Sequence, residues 1–343
     1  MIEMIEKKRN LRVKRIARLL SGKENSILVF VLIGIVAILA GVTRGVSVTR
    51  QNASSIMLRS STIGIASVGQ LFVVLTAGID ISVGGLAALS MCLGGLLMTG
   101  PEAGVTGILS EVTIPWGAGI LVLLLIGMGI GAANGTLVSR VRMPPLIVTL
   151  AMWIITRGGA TAITRGARVY HIPETLVSIG QGKIAGVPLP FVFFIMVAVI
   201  TYLVLNYTTF GKSVYAVGGN PATAWLSGIA TNGVRFQVYI LSGFLAALSG
   251  ALIMARSNVA AAIAAGSLEL DTVAAVSIGG VSLFGGKGSI LGVVLGVLIL
   301  GVISNGMNVM QLGAAAQDTV KGVIIFAAVA VNQIRKRRAE DYS

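Results

Sequence analysis

Apolar residues in this chain gather into long runs separated by short polar segments, with little alternation of apolar and charged positions. A helix needs about 20 apolar residues to cross a hydrocarbon core. Read against that length, the runs predict ten spans at about 26–43, 60–78, 83–99, 116–138, 143–158, 190–207, 236–254, 271–284, 289–309 and 317–334. Several are short or broken by Gly and polar residues, as happens where non-helical backbone lines a cavity. The predicted fold is all-α and polytopic.

Composition agrees. Of 343 residues, 55% are hydrophobic and 11% charged, against about 25% charged in a soluble domain. A water-soluble surface cannot be built from so few charges. The net charge of +14 would suit nucleic acid in a soluble protein, but no soluble domain or aromatic stacking platform accompanies it, so no nucleic-acid partner is expected. The charge instead collects at the ends: residues 1–24 hold eight basic and three acidic side chains, and residues 335–343 four basic and two acidic. With both termini cytoplasmic, inner segments carry 17 basic residues and outer segments eight, the asymmetry the positive-inside rule requires. This divides the chain into a basic amphipathic segment on the inner leaflet (1–25), a membrane domain (26–334) with a long cytoplasmic loop (208–235), and a basic tail (335–343) that would contact anionic lipid. Thr43-Arg44-Gly45 follows the first apolar run where a signal peptide would show a small-residue cleavage site, so that run is expected to remain as a span.

Candidate chemistry is sparse. Cys92 and His171 are single, the first in an apolar run and the second in a polar stretch, so no disulfide, metal site or Cys/His nucleophile is expected. No catalytic residue is expected either. Gly127, Gly131 and Gly135, and again Gly288, Gly292 and Gly296, repeat every four residues; such stripes let helix backbones approach within a bundle or, alternatively, between subunits. Asp80 lies at a break between the second and third spans. It could cap the third span through the N–H groups near Ser82 and Val83, or line a solute path. Asp318 and Lys321, three apart, are expected to pair on one helix face. Gly285-Gly286-Lys287-Gly288-Ser289 lacks the spacing of a phosphate-binding loop and reads as a tight turn.

The loop at 208–235 contains Gly218, Gly219, Asn220, Pro221, Ala224, Trp225, Leu226, Ser227, Gly228 and Ile229. Asn220 can cap a short helix with Pro221 at its first position, and Gly228 can end it. Trp225, Leu226 and Ile229 would present an apolar surface, either to a docking protein or to the lipid interface.

Three blocks, Leu75 to Ser90, Gly218 to Arg256 and Leu268 to Met310, resemble the permease subunits of ribose-type sugar ABC importers, a group that also serves xylose, arabinose, galactosides and autoinducer-2. Ile81, Gly85 and Trp225 depart from the usual pattern, the last standing where a basic residue is common. The resemblance implies a bacterial inner-membrane subunit, paired with a second copy or a paralogue. It implies a cytosolic ATPase dimer that binds the ATP and magnesium, and a periplasmic or lipid-tethered solute-binding protein. This chain itself would be no enzyme and hold no cofactor. The helix at 219–229 would couple to the ATPase, which selects docking over the lipid interface. Asp80, Ser82, Asn305 and Asn308 are the candidate path residues, for a monosaccharide or related polyol. Alternatives are a permease for nucleosides or branched-chain amino acids, or an ion-coupled carrier, which the scarcity of intramembrane charge disfavours.

Overall fold

The computed structural model describes residues 23–105 and 111–340; the expected inner-leaflet segment before Lys23 and the last three residues of the basic tail lie outside them. Thirteen helices follow one another among the described residues. They are α1 (Lys23–Val42), α2 (Arg50–Leu75), α3 (Val83–Thr99), α4 (Trp116–Ser139), α5 (Pro145–Thr164), α6 (Glu174–Gln181), α7 (Leu189–Tyr207), α8 (Thr209–Gly219), α9 (Pro221–Leu226), α10 (Thr231–Ser257), α11 (Leu268–Ile278), α12 (Ile290–Val309) and α13 (Ala314–Glu340). A two-residue hairpin, β1 (Lys183–Ile184) with β2 (Val187–Pro188), precedes α7.

Eight of these helices (α1, α2, α3, α4, α5, α7, α10 and α12) are long and apolar enough to cross a membrane. They sort by burial. The apolar windows of α2 and α3 are 89% and 83% buried within the chain, whereas those of α4 and α5 are 22% buried and that of α1 is not buried at all. The bundle is therefore built around α2, α3, α10 and α12, with the others exposing apolar flanks such as Ile195, Val199 and Leu203 on α7. Such flanks suit lipid, since helices satisfy their backbone groups internally. These features describe a multi-pass membrane protein.

Two apolar cores meet on α2 and α10. One gathers Phe72, Phe194, Val214, Tyr239, Val276 and Val297; the other gathers Leu86, Met91, Leu96, Leu123, Ala247 and Met254. The first glycine stripe lets α4 lie against α10: a Cβ at Gly127 would sit 2.5 Å from the Gly243 carbonyl, and one at Gly135 2.9 Å from that of Phe236. The second stripe admits Gly279 and Ala275 beside Gly292 and Gly296. Both stripes pack inside the chain.

The remaining two expected spans are less regular. α11 has 11 residues, about 16 Å of helix, and gives way at Gly279–Gly280 to a non-helical segment that ends where the Ser289 side chain accepts from Gly292 N–H and starts α12. α13 runs through the expected end of its span into the basic tail. Lys321 corrects an expectation: it pairs with Asp271 on α11, at 3.0 Å, while Asp318 is exposed. Burial decides the partner, because Lys321 faces α11 across the bundle and only Asp271 can compensate it there.

Candidate translocation site and docking loop

The turn between α2 and α3 is a buried polar cluster built around Asp80. Its Oδ1 accepts from the Ser82 backbone N–H at 3.0 Å and the Ser82 hydroxyl at 2.5 Å; its Oδ2 accepts from the Ser242 hydroxyl of α10 at 2.8 Å. Asn134 of α4 donates to Ser82 Oγ at 2.9 Å, and Thr149 of α5 donates to the Ile79 carbonyl at 3.2 Å. The amide of Gln70, oriented to satisfy both partners, bridges the Asp80 backbone N–H and C=O. Four helices are thus joined through Asp80 and Ser82, and α5 through the adjacent Ile79; neither Asp80 nor Ser82 is exposed at all. The carboxylate forms an Asx-type turn that leads into α3, taking Ser82 N–H together with two hydroxyls. A carboxylate can be buried in this way because each oxygen is hydrogen-bonded.

Two polar cavities lie at opposite ends of the α2–α10 pair. The first, of about 310 Å³, is lined by Arg59 and Thr62 of α2, Arg256 of α10, Asp271 of α11, and Asn305 and Asn308 of α12, among others. Asn305 is 7% exposed, and its Oδ1 has no partner among the described residues. Asn308 accepts from Gln317 at 2.9 Å. α6 braces this end, with Gln181 donating to the Arg256 carbonyl at 3.1 Å. The second cavity, of about 380 Å³, is lined by Thr76, Ser139, Arg142, Asn232, Arg235 and Tyr239, among others. From Arg59 to Thr76 is 17 residues, or about 26 Å along the helix. The Asp80 cluster lies between these two ends. Of the four candidate path residues, Asn305 and Asn308 come together in the first cavity, while Asp80 and Ser82 are brought together in the sealed cluster.

The 208–235 loop holds two helices, α8 and α9. Thr208 caps α8 by accepting from Gly211 N–H at 3.1 Å, and Asn220 caps α9 by accepting from Thr223 N–H at 3.0 Å. Gly228 takes φ +84° and ends the turn. Trp225 and Leu226 are 67% and 78% exposed. Gly219, Asn220, Ser227 and Gly228 are exposed beside them, whereas Gly218 and Ala224 are buried. Ile229, expected on the outer surface, instead packs against the core. Gly218 lies directly over the Leu75 carbonyl, which also accepts from Gly286 N–H at 3.0 Å. Tyr215 donates to the Gly288 carbonyl at 2.9 Å, and burial pushes its phenol above the ordinary range. α8, which leads directly into the Trp225–Leu226 turn of α9, is therefore fastened to the end of α2, five residues before Asp80, and to the glycine turn ahead of α12.

Sequence reasoning passed over Gln70, Asn134, Ser242 and Glu269. Gln70 and Asn134 interrupt apolar runs, a signal that could have found them. Glu269, 6% exposed with an unpartnered Oε2 beside Gly84, lies two residues from Asp271 and carries the same signal. Arg59 and Arg256 were legible only as outer-loop charges.

Helices packed around two polar cavities, with apolar flanks outside, are the architecture of a multi-pass membrane protein. The family described as branched-chain amino acid transport system / permease component matches residues 52–329. The D-allose transport system permease protein of Escherichia coli (strain K12) is 36% identical over 305 residues, 89% of this chain and 90% of that one. The ribose import permease protein of Bacillus subtilis (strain 168) is 36% identical over 279 residues, 80% and 82% of the two chains. The fructose import permease protein of Rhizobium meliloti is 34% identical over 294 residues, 82% and 78%. No solved structure matches the chain. The chain belongs to this permease family, and its relatives are the ribose-type permeases its sequence blocks resemble. It is a transport subunit, not itself an enzyme.

Proposed function

We propose that this chain is the membrane-spanning subunit of an ATP-driven importer for a monosaccharide or related polyol in a bacterial inner membrane. The observation that carries this reading is the exposed Trp225–Leu226 surface on α9, which follows directly on α8, the helix whose Gly218 packs against the Leu75 carbonyl. An ATPase dimer that binds ATP and magnesium would dock there, and its closure would be passed to α2 and the Asp80 cluster. In this reading α11 and α13 complete ten crossings, both termini are cytoplasmic, and residues 26–334 form the permease domain. The Arg59 end then faces outward, where a solute-binding protein delivers cargo, and the Arg142 end faces inward. A second copy or paralogue covers the route, and the chain holds no cofactor of its own.

The mechanism follows from the two cavities. A polar solute exchanges its water for the hydrogen-bonding groups at one end, while the hydrogen-bonded cluster at Asp80 closes the other. Motion of α2 and α10 relative to each other exchanges which end is open. The test is gentle purification of the chain from native membranes. A stoichiometric ATPase with phosphate-binding loops supports the reading. Recovery of the chain alone, under conditions that preserve other membrane complexes, sinks it and makes an ion-coupled carrier the next hypothesis.

A further inference from the structure

The cavity at the Arg59 end carries a charge set that a neutral sugar does not require. Arg59 and Arg256 line it from two different helices, and neither forms an ion pair with a described residue. The carboxylate that shares the wall, Asp271, is already held by Lys321 at 3.0 Å through one oxygen and 3.4 Å through the other. Arg59 Nε is buried without a partner among the described residues. Two guanidinium groups facing one partly desolvated space repel each other, and the repulsion grows as water is excluded. An anion between them removes it, and the planar fork of arginine matches carboxylate or phosphate oxygens.

Asn305 adds an independent requirement. Its side chain is more than nine-tenths buried, and its Oδ1 lacks a donor. A solute hydroxyl supplies one. The cavity of about 310 Å³ lies at the small end of small-molecule sites. The second cavity repeats the charge pattern, with Arg142 and Arg235 and no acidic side chain among its lining residues.

We infer that the outer cavity binds an anionic monosaccharide, a sugar acid or a sugar phosphate, with its charged group between Arg59 and Arg256 and a hydroxyl donating to Asn305. This rests on the importer reading and narrows its solute class. It departs from the named relatives, whose allose, ribose and fructose carry no charge.

The test is equilibrium binding to the purified full-length chain in lipid nanodiscs, with three probes sharing one ring: D-glucose, D-glucuronate and D-glucose 6-phosphate. At least one anion is expected to bind about tenfold or more tightly than glucose, a difference of one charge-assisted contact, and to weaken as salt rises. Which anion binds distinguishes carboxylate from phosphate. Arg59→Gln and Arg256→Gln are expected to abolish the preference. Should either variant lose its thermal transition, Asn305→Asp decides, because a carboxylate placed in the cavity is expected to repel the anion while leaving the fold intact. Failure of both anions to exceed glucose, or a preference that survives the substitutions, overturns the inference. ATPase co-purification is read separately, so failure of the anion site is distinguishable from failure of the importer reading.

Discussion

The Lys321 ammonium lies 3.0 Å from the Asp271 carboxylate, joining α13 to α11 across fifty residues of sequence, with side chains 11% and 10% exposed. Removing one partner strands the other in a low-dielectric setting. Lys321→Met is therefore expected to destabilise the chain by about 3–5 kcal/mol, the usual cost of an uncompensated buried charge. The double variant Asp271→Asn/Lys321→Met is expected to recover most of that loss. Thermal unfolding in detergent of the four members of the cycle measures it. Equal melting temperatures for the parent and Lys321→Met would rule out a structural role for the pair.

Asp80 makes a graded prediction. In Asp80→Asn the amide oxygen still accepts from Ser82, and its NH₂ can donate to Ser242, whose hydroxyl is able to reverse. The expected cost is about 1 kcal/mol, the difference between charge-assisted and neutral hydrogen bonds. Asp80→Ala strands three donors and is expected to cost about 3 kcal/mol or more. Melting temperature and uptake are measured together. If Asp80→Asn folds normally and transports nothing, the charge at Asp80 serves transport beyond its structural role in the turn.

The legibility of this chain follows the range of the forces involved. The run at 83–99 is α3 to the residue, and 116–138 ends one residue short of α4, because inside a membrane the backbone of a long apolar run is satisfied by the helix itself. α6 and α8 were not anticipated: each is short and polar enough that packing decides its form, as where Gly180 of α6 abuts the Ala255–Arg256 backbone. Asn220, Pro221 and Gly228 were legible because capping and left-handed turns are local. The partner of Lys321 was not, since Asp318 is near in sequence while Asp271 is near only after folding. Asn305 and Asn308 were legible as candidates. That Arg59 and Arg256 join them in one cavity depends on how α2, α10 and α12 pack.

Adjacent glycines at the end of α8 should behave differently. A Cβ on Gly218 would run into the Leu75 carbonyl and lie 2.6 Å from Gly286 N, whereas one on Gly219 meets nothing within 4 Å. Gly218→Ala is expected to cost about 1–3 kcal/mol through forced backbone displacement and to lower transport by loosening the join to α2. Gly219→Ala is expected to fall within about 0.5 kcal/mol of the parent. Melting and uptake assays on both variants check this. Equivalent behaviour of the two would show that α8 does not press on the Leu75 carbonyl at the end of α2.

The proposed docking surface requires substitutions that spare the fold. Gly228→Glu is a poor choice, because Gly228 sits at φ +84° and a side chain there adds backbone strain of about 1 kcal/mol or more. Gly228→Asn controls for that strain, since Asn tolerates the left-handed region. Trp225→Glu and Leu226→Glu alter side chains that are 67% and 78% exposed, so melting should be unchanged. A buried tryptophan anchor at an interface is typically worth about 2 kcal/mol or more, so either substitution should reduce ATPase recovery by about tenfold or more. Affinity capture of the full-length chain, with the ATPase quantified alongside it, reads the outcome. Full stoichiometric recovery with both substitutions would assign Trp225 and Leu226 to the lipid interface, where tryptophan is also at home, and the route from α9 through Gly218 to Leu75 would lose its input.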